Sequence, residues 1–132
     1  MDNLQVRISS IDEELFNLLT KMYMNYATNK GFKSTYENDI ITIAGNPIGF
    51  LETEQGIHRY ITLNRQGLRK TSFALVEINP QTEEPDWDSY NFAVRTYTRT
   101  PDTRVEDCNL EVTSERLDEI LAGNLDCLFE GK

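Results

Sequence analysis

One long stretch of this chain, and only one, carries a helical period. Ile11, Leu15, Leu18, Leu19, Met22 and Tyr26 recur at three- and four-residue spacing, which places them on one face of an amphipathic helix. Ser10 with Glu13 reads as a capping box at its start. Asn29-Lys30-Gly31 reads as its end, with Gly31 suited to the left-handed exit position. A single apolar stripe has to be buried against something, and the rest of the chain offers strands. Residues 4–8 alternate weakly, and residues 39–44 are rich in β-branched side chains. Gly45-Asn46-Pro47 marks a turn before a returning strand at 48–52. Residues 58–63 and 70–78 are alternating runs joined by Asn64-Arg65-Gln66-Gly67, a hairpin signal. The predicted fold is α+β: an antiparallel or mixed sheet backed by one long N-terminal helix, with a small C-terminal helical cap.

The second half continues the pattern. Residues 91–98 alternate, with Phe92, Val94 and Thr96 on one side and Ala93, Arg95 and Tyr97 on the other. Ser114 can cap a short helix carrying Leu117, Ile120 and Leu121, and Gly123 stops it. Leu125, Leu128 and Phe129 make a last apolar turn. Phe73, Val76, Phe92, Val94, Leu121 and Phe129 are expected to share one core. Residues 1–132 are expected to form a single domain, with 81–89 as a polar acidic linker.

With 132 residues, 39% of them apolar, the chain is long enough to bury about two-thirds of its unfolded surface. No run approaches the roughly 18 apolar residues of a membrane span. The start, Met1-Asp2-Asn3-Leu4-Gln5, lacks the regions of a signal peptide, so a cytoplasmic location and no membrane partner are expected. Cys108 and Cys127, alone in different elements, read as reduced thiols.

The net charge of −9 argues against non-specific nucleic-acid binding and against DNA as a partner, because each phosphate contact needs a cation. The charge is uneven, however. Between Gln55 and Val76 no acidic residue occurs, while Arg59, Arg65, Arg69 and Lys70 do. With Tyr60 and Thr71 these cations form a candidate RNA-binding ribbon, combining guanidinium planes, a ring and a hydroxyl. The alternative is a merely solvated ribbon face. Trp87 and Tyr90 in the acidic connection are a candidate protein contact if exposed. Burial over the core is the expectation.

His58 is the only histidine, so any triad would have to use it. As a strand residue it is expected to be a hydrogen-bonded structural histidine. One histidine and two separated cysteines give no zinc spacing. Pro85 and Trp87 break any calcium-loop pattern among Glu83, Glu84, Asp86 and Asp88. No cofactor, no metal and no enzymatic activity are expected.

Gly56-Ile57-His58-Arg59, followed by Thr71-Ser72-Phe73-Ala74, resembles the GVHR and HTSFAS strands of bacterial class I peptide chain release factors of the release factor 2 type. Met22-Tyr23-Met24-Asn25-Tyr26-Ala27 and Lys30-Gly31-Phe32-Lys33 resemble that family's RMYLRWAE helix and RGFK exit. Gly49-Phe50-Leu51-Glu52-Thr53-Glu54 resembles YGWLRTET. Arg95-Thr96-Tyr97, Arg104-Val105-Glu106-Asp107 and Leu121-Ala122-Gly123-Asn124-Leu125-Asp126 resemble RSY, RIKD and LDGDLD. The likeness covers about residues 11–130 and implies the family's codon-recognition domain.

The departures are as specific. The family's hydrolytic GGQ loop, carried on a domain inserted before the RSY strand, does not occur. Residues 81–89 stand in its place, and the family's N-terminal helical domain has no counterpart. The SPF tripeptide is absent from the shorter loop Thr62-Leu63-Asn64-Arg65-Gln66-Gly67-Leu68. The histidine that stacks on a codon base is Lys70, and Val6-Arg7-Ile8-Ser9-Ser10 replaces the GSGG turn. Thr71 matches the family's third-base contact. The resemblance therefore implies a kept scaffold without stop-codon reading. The expected role is a non-catalytic, translation-related binder of the ribosome or structured RNA. The alternative is a protein-interaction module, an acidic inhibitor or regulator with an unidentified protein partner.

Overall fold

The computed structural model describes residues 3–44, 54–100 and 102–129. The turn and strand expected at 45–52, and the side chain of Phe129, lie outside the described residues. The elements run β1 (Asn3–Ser9), α1 (Glu13–Asn29), β2 (Ser34–Glu37), β3 (Ile40–Ala44), β4 (Gly56–Leu63), β5 (Arg69–Ile78), a 3-10 turn (Trp87–Ser89), β6 (Ala93–Thr98), β7 (Arg104–Asp107), β8 (Val112–Ser114), α2 (Leu117–Leu121) and α3 (Asp126–Phe129). Among the described residues the strands form one 8-stranded sheet in the order β2-β3-β1-β5-β4-β6-β7-β8. Neighbours are antiparallel except β4 and β6, which run parallel, so the fold is α+β with a mixed sheet.

Strand periodicity puts Val6, Ile8, Ile41, Ile43, Tyr60, Ala74, Val76, Tyr97 and Val105 on one face. That face is buried under α1, which contributes Leu15, Leu19, Met22, Tyr23 and Tyr26. Burying each such side chain is worth about 1.5–3 kcal/mol, which is what fixes the helix across the sheet. The cap is built the same way, with Leu117, Ile120, Leu125 and Leu128 buried in the same cluster. Gly123 has φ +107, and a Cβ there would lie 2.6 Å from the Cβ of Asn25 and 2.9 Å from the amide of Tyr26. Glycine is what lets the end of α2 sit against the backbone of α1.

Several expectations are corrected. The cap of α1 is Asp12, whose Oδ1 accepts from the Leu15 amide at 2.9 Å. Ser10 instead donates to the carbonyl of Phe73 at 2.8 Å. Ile11 falls before the helix and is fully exposed. Residues 39–44 lose Asp39 to a turn: Asn38 and Asp39 both have positive φ, 54° and 65°, between the paired Glu37 and Ile40. That is a two-residue primed hairpin turn, which Asn and Asp tolerate, and it adds the strand β2. The shared-core expectation holds for Val76 and Leu121; Val94 is buried but outside that cluster, and two aromatics fail it. Phe73 is 47% exposed on the sheet face away from α1, and Phe92 is 65% exposed just before β6. Replacing Phe92 with alanine is therefore expected to change stability by no more than about 0.5 kcal/mol. A urea unfolding midpoint shows this directly, and a large drop would place Phe92 in the core.

Candidate functional site

The β4–β5 hairpin carries the candidate ribbon, and register sorts its residues by face. Arg59, Ile61 and Leu63 share the outer face with Arg69, Thr71 and Phe73, while Tyr60 and Ser72 point toward α1. The tip is a tight loop. Asn64 Oδ1 accepts from the amides of Gln66 and Leu68 at 2.9 and 3.0 Å, and Gly67 takes φ +79. Arg65, Arg69 and Thr71 are exposed there. Arg59 is half-buried, and its Nε donates to Thr96 Oγ1 at 3.2 Å.

Two members of the ribbon are placed otherwise than expected. Tyr60 is 2% exposed, and its hydroxyl accepts from Arg99 Nε at 2.8 Å. It is a core ring, so no base can stack on it. Lys70 is not a free cation: its Nζ lies 2.7 Å from Asp12 Oδ2, which also accepts from the Ser72 hydroxyl at 2.7 Å. Burial alone would raise the Asp12 carboxyl. The bonds from Lys70, the Leu15 amide and Ser72 outweigh it and hold the group near 2. The residue expected to replace a stacking histidine thus ties the hairpin to the start of α1. The sequence showed neither Asp12 nor Arg99 as a hairpin partner, because each lies in another element.

A groove of about 430 Å³ runs beside this tie, lined by Ile11, Asp12, Lys70, Thr71, Phe73 and Trp87. Trp87 was expected to be buried. It is 37% exposed and forms one wall, because the linker's polar backbone, not its ring, covers the sheet. Arg7 Nη1 donates to the carbonyls of Thr82 and Glu83, and Nη2 to that of Glu84, while its Nε donates to Glu77 Oε1 at 2.9 Å. Tyr90 is half-buried, and its hydroxyl accepts from Gln55 Nε2 at 2.8 Å.

Behind the hairpin lies a buried polar network. Arg95, Glu54, His58 and Asp107 are at most 3% exposed. The Arg95 guanidinium donates to both oxygens of Glu54, with Nη1 at 2.6 Å, and its Nε donates to Asp107 Oδ2 at 2.8 Å. Tyr23 donates to Glu54 Oε1 at 2.8 Å, and Asp107 Oδ1 accepts from the Leu110 amide at 2.9 Å. His58 Nε2 donates to the carbonyl of Glu54 at 2.8 Å, leaving Nδ1 to accept from the Tyr97 hydroxyl at 3.0 Å. Burial, with the charge of Arg95, drives the imidazole down to about 3, so it is neutral. Every polar group here has a partner and the cluster is closed to solvent. Its geometry holds α1, β4, β6 and β7 together, and it presents no general base to a substrate.

Cys108 is exposed and Cys127 half-buried, both free thiols. Among the described residues no group of three or more His, Cys, Asp or Glu is placed to hold a metal ion. Among them, too, no helix is long and apolar enough to cross a membrane.

The fold and its motifs define a release-factor-like domain. The chain is similar to peptide chain release factor 2 of Kineococcus radiotolerans, 34% identical over 84 residues, covering 52% of this chain and 23% of that protein. It is likewise similar to peptide chain release factor 2 of Bordetella pertussis, 35% identical over 83 residues, with the same coverage. Against that of Streptomyces avermitilis it is 33% identical over 100 residues, covering 64% of this chain and 27% of that one. The chain thus spans about a quarter of the length of the curated relatives it matches. No family model matches it. Among solved structures, RF2 of Thermus thermophilus superposes with a TM-score of 0.69 at 16% identity, covering 98% of this chain and 66% of that one, a likeness of fold.

Proposed function

We propose that this chain is a non-catalytic, release-factor-like protein that binds the ribosome or structured RNA in a translation-related role. The β4–β5 hairpin is its contact. One observation carries the reading: Arg65 and Arg69 stand exposed at a tight tip, in a stretch from Gln55 to Val76 free of acids, on a chain of net charge −9. Such a charge pattern attracts phosphate at one end and repels it elsewhere, which orients an encounter. Thr71 supplies a hydroxyl beside it, and Arg59 contributes its charge from the half-buried middle of β4. Lys70 and Tyr60 serve the fold. The absence of a GGQ tripeptide supports a role without hydrolysis. A second reading, a protein-interaction module, is favoured by the apolar walls of the groove, Ile11, Phe73 and Trp87.

The test is co-sedimentation of the purified chain with ribosomes and with structured ribosomal RNA over a salt series. Binding is expected to weaken steeply with salt, as counterion release requires. Reversing Arg65 and Arg69 to glutamate is expected to lower affinity at least about tenfold, since each removes a phosphate contact, with an unchanged unfolding midpoint. Ribosomes stopped at UGA or UAA are expected to release no peptide. Full binding by the double variant would overturn the hairpin as the contact. No binding by the wild type, with capture of a protein lost on Trp87→Ala, would favour the second reading.

A further inference from the structure

Among the described residues the sheet has two outer edges, β2 and β8, and they are written differently. In β2 the ladder to β3 pairs Ser34 with Ile43, Thr35 with Thr42, Tyr36 with Ile41 and Glu37 with Ile40. The amide of Ala44 donates to the carbonyl of Lys33 at 2.8 Å, and the two-residue turn closes on Glu37 and Ile40. Antiparallel bonding alternates along a strand. Lys33, Thr35 and Glu37 therefore direct their backbone groups inward to β3, and Ser34 and Tyr36 direct theirs out from the open edge.

An outward row of this kind is a template for another strand, and its side chains state which one. If a second copy pairs antiparallel about a two-fold axis at Thr35, Ser34 meets Tyr36 of the second copy, and their outward amides and carbonyls bond. Lys33 then stands opposite Glu37 of the second copy, twice over by symmetry. Both fall at non-bonded positions, where facing side chains come closest. Lys33 and Glu37 are exposed, and neither forms an ion pair with a described residue.

The edge at β8 is the contrast. β8 is only three residues, Val112–Ser114. Both residues flanking it are acids, Glu111 in a turn at φ 56 and Glu115. A two-fold pairing centred on Thr113 crowds these like charges at its ends, which is destabilising. Joining β2 to β8 gives one attraction and one repulsion and has no closed symmetry. Charge complementarity thus selects one pairing out of three. We propose that the β2 edge is a self-association surface, joining two copies of this chain into one continuous sheet with both α1 helices on the same side.

The test is sedimentation equilibrium of the full chain without nucleic acid, from about 1 µM to 1 mM, a range that captures weak small interfaces. A concentration-dependent dimer is expected. K33E alone or E37K alone turns both attractions into repulsions and is expected to raise the dissociation constant roughly tenfold. An equimolar mixture of the two single variants restores the dimer, because each 33–37 contact is again between opposite charges. The doubly swapped variant dimerises by itself. All the substitutions are on exposed side chains, so folding is unaffected, and circular dichroism checks it. A chain monomeric throughout the range, or a dimer indifferent to the single swaps and to their mixing, overturns the proposal.

Discussion

Replacing Arg95 with methionine is expected to destabilise the protein by about 3–5 kcal/mol, the usual result of leaving buried charges without their partner. In a domain whose total stability is about 5–15 kcal/mol, that is enough to make the variant marginal at room temperature. The reason is local. Arg95 bonds Glu54 and Asp107, both in the interior, and methionine fills similar volume while removing every donor. The loss belongs to the stranded carboxylates, not to the missing guanidinium as such. Adding Glu54→Gln and Asp107→Asn to Arg95→Met is therefore expected to recover a large part of it. Urea unfolding of the single and triple variants measures both. A single variant within about 1 kcal/mol of wild type would mean that the cluster is open to water.

Acid is expected to have the second largest effect. The unfolded chain takes up a proton at His58 near the ordinary 6.5, and the folded chain only near 3. Between those values the unfolded state holds more protons, so stability falls as pH falls. At about 1.4 kcal/mol per unit of separation, the loss is about 2–3 kcal/mol by roughly pH 4.5. Burial sets the sign and the charge of Arg95 adds to it, while the bond to the Glu54 carbonyl and the charge of Asp107 favour the protonated ring. Asp12 acts later. Its folded value of about 2 lies below the ordinary 3.8, so its contribution is present above 3.8 and disappears as pH falls through 2. Unfolding midpoints near pH 7 and near pH 4.5 for wild type and His58→Gln separate the two groups. The variant is expected to lose most of the slope above about pH 4. Parallel slopes in the two proteins would show that His58 is not the titrating group.

What the sequence discloses follows from distance along the chain. Helix α1, the β4–β5 hairpin, the cap at Leu117–Leu121 and the left-handed Gly31 were legible because each is specified by neighbours a few residues apart. Strands β2, β7 and β8 were not, since polar strands of three or four residues carry little alternation. The network was invisible for the opposite reason. Glu54, Arg95 and Asp107 lie far apart along the chain: the parallel pairing of β4 with β6 brings the Glu54 end to Arg95, and the antiparallel pairing of β6 with β7 sets Asp107 opposite it. The exposed cations Arg65 and Arg69 and the hydroxyl of Thr71 were correctly placed on the outside by their position in and beside a turn. Tyr60 and Lys70 were misjudged because a ribbon read alone does not show which face a helix covers. Trp87 and Phe92 were misjudged because ring size suggests burial, and the connection they flank turns them outward.

The parallel neighbour relation of β4 and β6 has a consequence for what this platform tolerates. Ile57 pairs with Leu75 on one side and with Ala93 on the other. The chain thus leaves the sheet and re-enters it at two points about two strand spacings, or roughly 10 Å, apart. Apart from Arg7, whose buried guanidinium bonds the carbonyls of Thr82, Glu83 and Glu84, the sheet depends little on how much polypeptide lies between those points, and a tenfold longer excursion costs only about 2 kcal/mol in closure entropy. The 79–92 connection is a docking port in the architectural sense. A segment as large as a domain could be hung there, or taken away, while the sheet, its helix and its buried network carried on unchanged.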